Sequence, residues 1–251
     1  MRWLVPTIAL LAMPAAAHGE DLVSGLSQDQ IRITSNYTGT NITVFGAIEA
    51  IAANDAGAVR DIVVVIRGPD ADMTVRRKVR IAGVWINRDA MQLHAMPTYY
   101  SVASSRPLAK IAGKETLERY QIGMINVQPE SVGTHNPKKA EPFRQAAIAD
   151  RAHVGLYSED TSVEFLGNSL FRARVPIPAT VQRGEYTAEV LLFRDGNVVS
   201  AQTTPLFVDQ FGFERGILNF AHREAFWYGL TAVMMAALFG WLSSLLFRER
   251  G

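Results

Sequence analysis

The sequence predicts a mainly β protein, built from immunoglobulin-like β-sandwich units and closed by one C-terminal transmembrane helix. Three observations carry that reading. Apolar and polar residues alternate over many short segments, the pattern of half-buried strands. Turn residues punctuate those segments at near-regular spacing, as in β-sandwiches. Residues 225–247 then form a 23-residue stretch without a charge.

The N-terminus reads as a secretory signal peptide over residues 1–17. Arg2 is a basic start, Leu4 to Met13 a short apolar core, and Ala15 and Ala17 the small residues of a cleavage site. The apolar core is too short to span a bilayer, which takes about 20 residues. The mature protein is therefore expected to begin at His18, outside the cytoplasm.

The body follows. Ile31 to Thr34 and Ile42 to Ile48 alternate, and Asp61 to Ile66 is a β-branched run suited to a central strand buried on both faces. Gly68-Pro69-Asp70 turns the chain into Val75 to Ile81, and Gly83 precedes Val84 to Asn87. Thr98 to Ala103 is a further strand, broken by Pro107. Helices are expected at Lys114 to Tyr120 and Ala140 to His153, the second starting near Pro142, a residue suited to a first turn. Tyr186 to Phe193 and Val198 to Thr203 flank Asp195-Gly196, a strong hairpin signal because both turn residues tolerate positive φ. With Gly184-Glu185-Tyr186 ahead of it, this resembles the final hairpin of exported immunoglobulin-like sandwiches. Pro129, Gly133 and Pro137 punctuate a linker-like stretch. They divide the body into an N-terminal β unit, 18–130, and a second, 131–224; one larger elaborated sandwich has the same appearance.

The C-terminal stretch 225–247 is about 34 Å long as a helix, enough for a ~30 Å hydrocarbon core. Phe226, Trp227 and Tyr228 supply an aromatic belt, and Arg248 and Arg250 mark residues 248–251 as a cytoplasmic tail. The expected location is the inner membrane, single-pass, with the body in the periplasm and the C-terminus in the cytoplasm.

Composition excludes whole classes. Lys and Arg number 25 against 24 Asp and Glu, which argues against a nucleic-acid partner. No cysteine is present, so disulfides, thiolate metal sites and cysteine nucleophiles are absent. An exported body has no access to cytoplasmic nucleotides. No GxSxG, HExxH, Walker or GxGxxG motif occurs.

Three sets of residues are candidate sites. Arg76, Lys78 and Arg80 alternate along one strand, forming a row of cations at about 6–7 Å steps. Such a row suits an anion, a lipid headgroup or an acidic partner, and equally a solvated edge protected against aggregation. Ala232, Ala236, Gly240 and Ser244 recur at every fourth position of the span. In lipid, small residues at that spacing let helix backbones approach, so the stripe suits a partner span or a second copy. His18, if it becomes the mature N-terminus, offers an amine and an imidazole to copper, with His94, His135 or His153 as a further ligand. No cofactor is otherwise predicted. Trp85, Tyr99, Tyr100 and Tyr157 are candidates to line a ligand groove, although Trp85 between Val84 and Ile86 suits core packing.

The detailed wording of the sequence is also familiar. Thr34-Ser35-Asn36-Tyr37-Thr38-Gly39, Val44-Phe45-Gly46-Ala47, Val75-Arg76-Arg77-Lys78, Ala82-Gly83-Val84-Trp85-Ile86-Asn87 and Met96-Pro97-Thr98-Tyr99-Tyr100 stand together with Leu170-Phe171-Arg172-Ala173, the Gly184-Glu185-Tyr186 hairpin and Tyr228-Gly229. Across nearly the whole mature chain they resemble the putative transmembrane protein family of alphaproteobacteria. The resemblance implies an exported domain with one anchor and supplies no catalytic residues. It also implies a neighbourhood of sulfite-exporter-like permeases. The expected function is a membrane-anchored periplasmic β-domain, a non-enzymatic binding or accessory subunit for another envelope protein. The alternative is a periplasmic copper-binding protein using His18.

Overall fold

The computed structural model describes residues 21–34, 37–49, 59–81, 83–129, 131–132, 137–160, 162–167, 169–210, 222 and 224–247. The expected signal peptide 1–17, His18, His135 and the tail 248–251 lie outside them.

The protein is mainly β. One sheet has the order β1 (Asp21–Leu26), β3 (Thr40–Glu49), β11 (Leu170–Ile177), β10 (Val163–Leu166), antiparallel throughout. A second has the order β2 (Gln30–Ile33), β13 (Asn197–Gln210), β12 (Gly184–Arg194), β4 (Arg60–Arg67), β7 (Tyr100–Ser104), β9 (Tyr157–Asp160). Its two edge pairings, β2 with β13 and β7 with β9, are parallel. Between β4 and β7 the chain leaves the body as a long hairpin, β5 (Asp70–Ile81) and β6 (Val84–Pro97), with β8 (Ser131–Val132) paired to Leu93 and His94.

Pairing crosses residue 130 in both sheets. β11 lies beside β3, and β12 beside β4. Residues on either side of the expected boundary at 130/131 therefore build the same two sheets rather than one sheet system each. The punctuation there marks the approach to a helix, α3 (Pro137–His153). That helix begins earlier than expected: Pro137, not Pro142, occupies the first turn, where a missing N–H costs nothing.

The core follows from strand periodicity. In β11 the side chains of Phe171, Ala173, Val175 and Ile177 point inward, and all are buried. Tyr186, Ala188, Val190 and Leu192 of β12 do the same, beside Ile62, Val64 and Ile66 of β4. β4 is buried on both faces, as its β-branched run predicts. Its outer side is covered by α1 (Leu108–Ile111), α2 (Lys114–Arg119) and a 3₁₀ turn at Met124–Asn126, whose region adds Leu108, Ile111, Leu117, Ile122 and Val127 to the core.

The tyrosines are structural. Tyr99 donates its hydroxyl to the Pro176 carbonyl at 2.6 Å, Tyr157 to Pro97 at 2.7 Å and Tyr186 to Gln182 at 2.6 Å. Tyr100 donates to the Gln121 carbonyl at 2.6 Å and accepts from the Gly123 N–H at 3.0 Å. Burial pushes all four hydroxyls up, Tyr186 to about 12. Tyr99, Tyr100 and Tyr157 thus form no ligand groove; each ring is buried and each hydroxyl is committed to the backbone.

The Asp195-Gly196 hairpin forms as expected. Arg194 pairs with Asn197, leaving two turn residues with φ of 47° and 86°. Because only glycine adopts that second angle without a Cβ penalty, Gly196→Ala is expected to cost about 1 kcal/mol, read as a lower thermal midpoint of the body.

Candidate functional site

The basic row stands on the hairpin that leaves the body. β5 and β6 pair from Asp70 with Pro97 to Ile81 with Val84, around a tip at Gly83 whose φ is 87°. Alternation places Arg76, Lys78 and Arg80 on one face of β5, and all three are exposed. The register slips at Arg77/Lys78, where Arg77 faces Asp89 and Lys78 faces Asn87, leaving one extra residue on β6. Arg77 is also exposed, on the opposite face. Arg76, Arg77 and Lys78 form no ion pair with any described residue, and Arg80 only reaches the Gly83 carbonyl, Nε to O 3.4 Å. Val84 and Ile86, flanking Trp85 at the tip, are exposed as well. Trp85 pairs with Arg80 along the same hairpin.

A second bulge lies nearer the hairpin's base. Ala95 there has a φ of 52°, and its N–H reaches Asp72 Oδ1 at 3.4 Å while His94 Nδ1 lies 3.0 Å from Asp72 Oδ2. The His94 hydrogen bond holds the Asp72 carboxyl below its usual range. His94 thereby has a carboxylate partner. Among the described residues no group of three or more histidines or carboxylates could hold a metal.

A feature that sequence reasoning missed lies on the outer face of the four-stranded sheet. Val23 of β1, Phe45 of β3, Leu166 of β10 and Leu170 of β11 are 47–55% exposed and line a groove of about 470 Å³ with Ala47. Arg172, paired with Glu164 at 2.7 Å, borders it. The signal was present: Ile42, Val44 and Ile48 occupy the inward phase of β3, so Phe45 is apolar on the wrong phase for a solvated face. Leu170 stands likewise opposite in phase to Phe171 and Ala173.

The apolar stretch forms the helix α4 (Ala225–Phe247), none of whose spanning window is buried in the protein. Ala232, Ala236 and Gly240 are exposed on it, and Ser244 continues the four-residue spacing. Thr231 returns its hydroxyl to the Trp227 carbonyl at 2.7 Å, which satisfies the hydroxyl within the helix. Phe226 and Trp227 pack edge to face, ring centres 5.6 Å apart, at the start of the span.

The family model Alph_Pro_TM, putative transmembrane protein, matches residues 21–249. The chain belongs to the Alph_Pro_TM family. No curated protein matches it. The match begins at the first residue of β1 and runs past the end of α4, so the Alph_Pro_TM unit comprises the β body, the hairpin and the helix together. For an Alph_Pro_TM member, α4 is the membrane element: its 23 residues reach about 34 Å at ~1.5 Å each.

Proposed function

We propose that this Alph_Pro_TM protein is a periplasmic binding module, an immunoglobulin-like sandwich held at the inner membrane by α4, that acts as an accessory subunit to another envelope protein. The observation that carries the reading is the uncovered apolar groove around Val23, Phe45, Leu166 and Leu170. Isolated exposed apolar side chains are ordinary, but a contiguous patch on one sheet face marks an interaction surface. The sandwich class is supported by the strand order: β1-β3-β11-β10 against β2-β13-β12-β4-β7 follows the two sheets of immunoglobulin domains, with the first-strand extension parallel to the last strand. Tyr186 early in β12, bonded to the Gln182 carbonyl four residues upstream, matches the tyrosine corner of that class. The partner class implied by the family resemblance is a sulfite-exporter-like permease, which the small-residue face Ala232, Ala236, Gly240 and Ser244 suits as a helix-packing surface.

A photo-crosslinking residue at Phe45 in the full-length protein, irradiated in native membranes, is expected to give one dominant protein adduct. The same probe at exposed Lys110, on the other side of the body, is expected to give none. Ala236→Leu with Gly240→Leu should weaken the adduct while leaving insertion intact, because bulky residues keep a partner helix away. Lipid adducts alone, or equal yields from both positions, would overturn the reading.

A further inference from the structure

The hairpin of β5 and β6 has no role in the partner groove, yet it carries the strongest charge asymmetry in the chain. Residues 76–89 hold five cations (Arg76, Arg77, Lys78, Arg80, Arg88) and one carboxylate, Asp89, a net +4 within a protein whose total is +1. Fixing like charges this close on one protrusion is unfavourable unless an anionic surface or solvent offsets it. No described carboxylate pairs with Arg76, Arg77 or Lys78. The tip adds exposed Val84 and Ile86, an apolar end on a cationic stem.

The topology says where the hairpin emerges. β4 ends at Arg67, which pairs with Thr187 near the start of β12. Gly184, at that start, pairs with Val208 near the end of β13, and a Cβ on Gly184 would lie 2.9 Å from Pro69 at the hairpin's base. The hairpin therefore leaves from the end of the body where β13 finishes at Gln210. From that same end the chain runs on to α4, which starts at Ala225 after a 14-residue connection. Met73, Val75 and Met91 pack against the core at the hairpin's base, so the projecting part is residues 76–83, about 26 Å at ~3.3 Å each. Hairpin and anchor segment thus both continue from one end of the body.

We infer that this hairpin is a membrane-contacting arm, whose cations bind the anionic phospholipid headgroups of the leaflet that α4 enters. Its apolar tip sits among the headgroups. Arg80, Lys78 and Arg76 lie about 10, 17 and 23 Å behind Gly83 at ~3.3 Å per residue, farther than the ~5–8 Å headgroup layer is deep, so all three reach phosphates with the hairpin inclined along the surface. The arm would then give the body a second point of attachment besides α4, which fixes its height and tilt over the membrane. The inference rests on α4 being the anchor and not on the identity of a protein partner.

Absence of native cysteine allows a clean test. Val84→Cys, carrying a polarity-sensitive fluorophore, is placed in full-length protein in nanodiscs of phosphatidylcholine, with or without phosphatidylglycerol; Tyr228→Cys, at the membrane end of α4, reports insertion. Blue-shifted emission, quenched by headgroup-quencher lipids, is expected at Val84→Cys in the phosphatidylglycerol discs. Because a basic residue near an anionic surface is worth about fivefold in the contact equilibrium, Arg76→Gln with Lys78→Gln and Arg80→Gln should weaken contact roughly a hundredfold. High salt should weaken it too, since the screening length shrinks to about 3 Å at 1 M. A silent arm label beside a normal Tyr228→Cys signal would overturn the inference, as would equal response without phosphatidylglycerol. So would inorganic phosphate reproducing the response in phosphatidylcholine discs, because the cations would then bind a soluble anion. None of these three results touches the Phe45 crosslinking outcome, so the two readings fail separately.

Discussion

Gly46→Ala is expected to lower the thermal midpoint of the body by roughly 6–12 °C, about 3 kcal/mol for a domain of this size. Gly46 lies in β3 opposite Ser24, beneath the ring of Phe171. A Cβ there would clash with the Val23 carbonyl oxygen and lie 2.5 Å from Phe171 Cζ. The ring could turn aside at the cost of core packing. The carbonyl cannot, because it belongs to the backbone of β1. Relief would require β1 to move away from β3 along a six-residue ladder. Gly113→Ala is the control, since a Cβ there meets nothing within 4 Å and its φ of −68° is ordinary. Differential scanning calorimetry on both variants checks the pair. Equal midpoints would show that β1 is not held as closely to β3 as its register requires.

Tyr100→Phe should cost about 3 kcal/mol, more than Tyr99→Phe or Tyr186→Phe at about 1–2 kcal/mol each. All four tyrosines are buried, so the ring contribution is the same before and after removal of one oxygen. What differs is the number of backbone groups left unsatisfied. Loss of the Tyr99 or Tyr186 hydroxyl orphans one carbonyl. Loss of the Tyr100 hydroxyl orphans both the Gln121 carbonyl and the Gly123 N–H. Gln121 and Gly123 already hold positive φ, 50° and 97°, so the connection between α2 and the 3₁₀ turn depends on this tie. Chemical denaturation of the three variants reads the ranking. A Tyr100→Phe loss no greater than the other two would mean that water replaces the hydroxyl without cost. Hydrogen exchange should localise the Tyr100→Phe effect to residues 120–124, whereas Tyr186→Phe should loosen the turn before β12.

Much of this protein was legible in the linear chain because the relevant information is local. Period-two alternation marked β2 and β3, and the β-branched run of β4 already required cover on both faces. Asp195-Gly196 specified its turn by the angles those two residues tolerate. Twenty-three consecutive uncharged residues determined α4, since no solvated helix keeps such a composition. The basic row was visible as alternating cations, and the structure places it on a strand as expected.

The remainder depended on contacts between residues far apart in the chain. The boundary at 130/131 was a reasonable reading of Pro and Gly punctuation, yet β11 closes on β3 more than 120 residues away, and no local pattern encodes that pairing. The tyrosines were ambiguous for the same reason: an aromatic residue lines a groove or fills a core according to what lies across from it. Partner carbonyls at Pro176, Gln121, Pro97 and Gln182 decided the matter. Phe45 and Leu170 were apolar residues on the outward phase of their strands, but only antiparallel pairing brings them onto one face with Val23 and Leu166. Most long strands, two of the helices and the apolar span could be read from the chain alone, because propensity, periodicity and transfer free energy act within a few residues. The tertiary structure alone decided which strands share a sheet, which aromatics are structural and where the charged arm emerges. Those are consequences of long-range register, and register is set by how inward faces fill one common core.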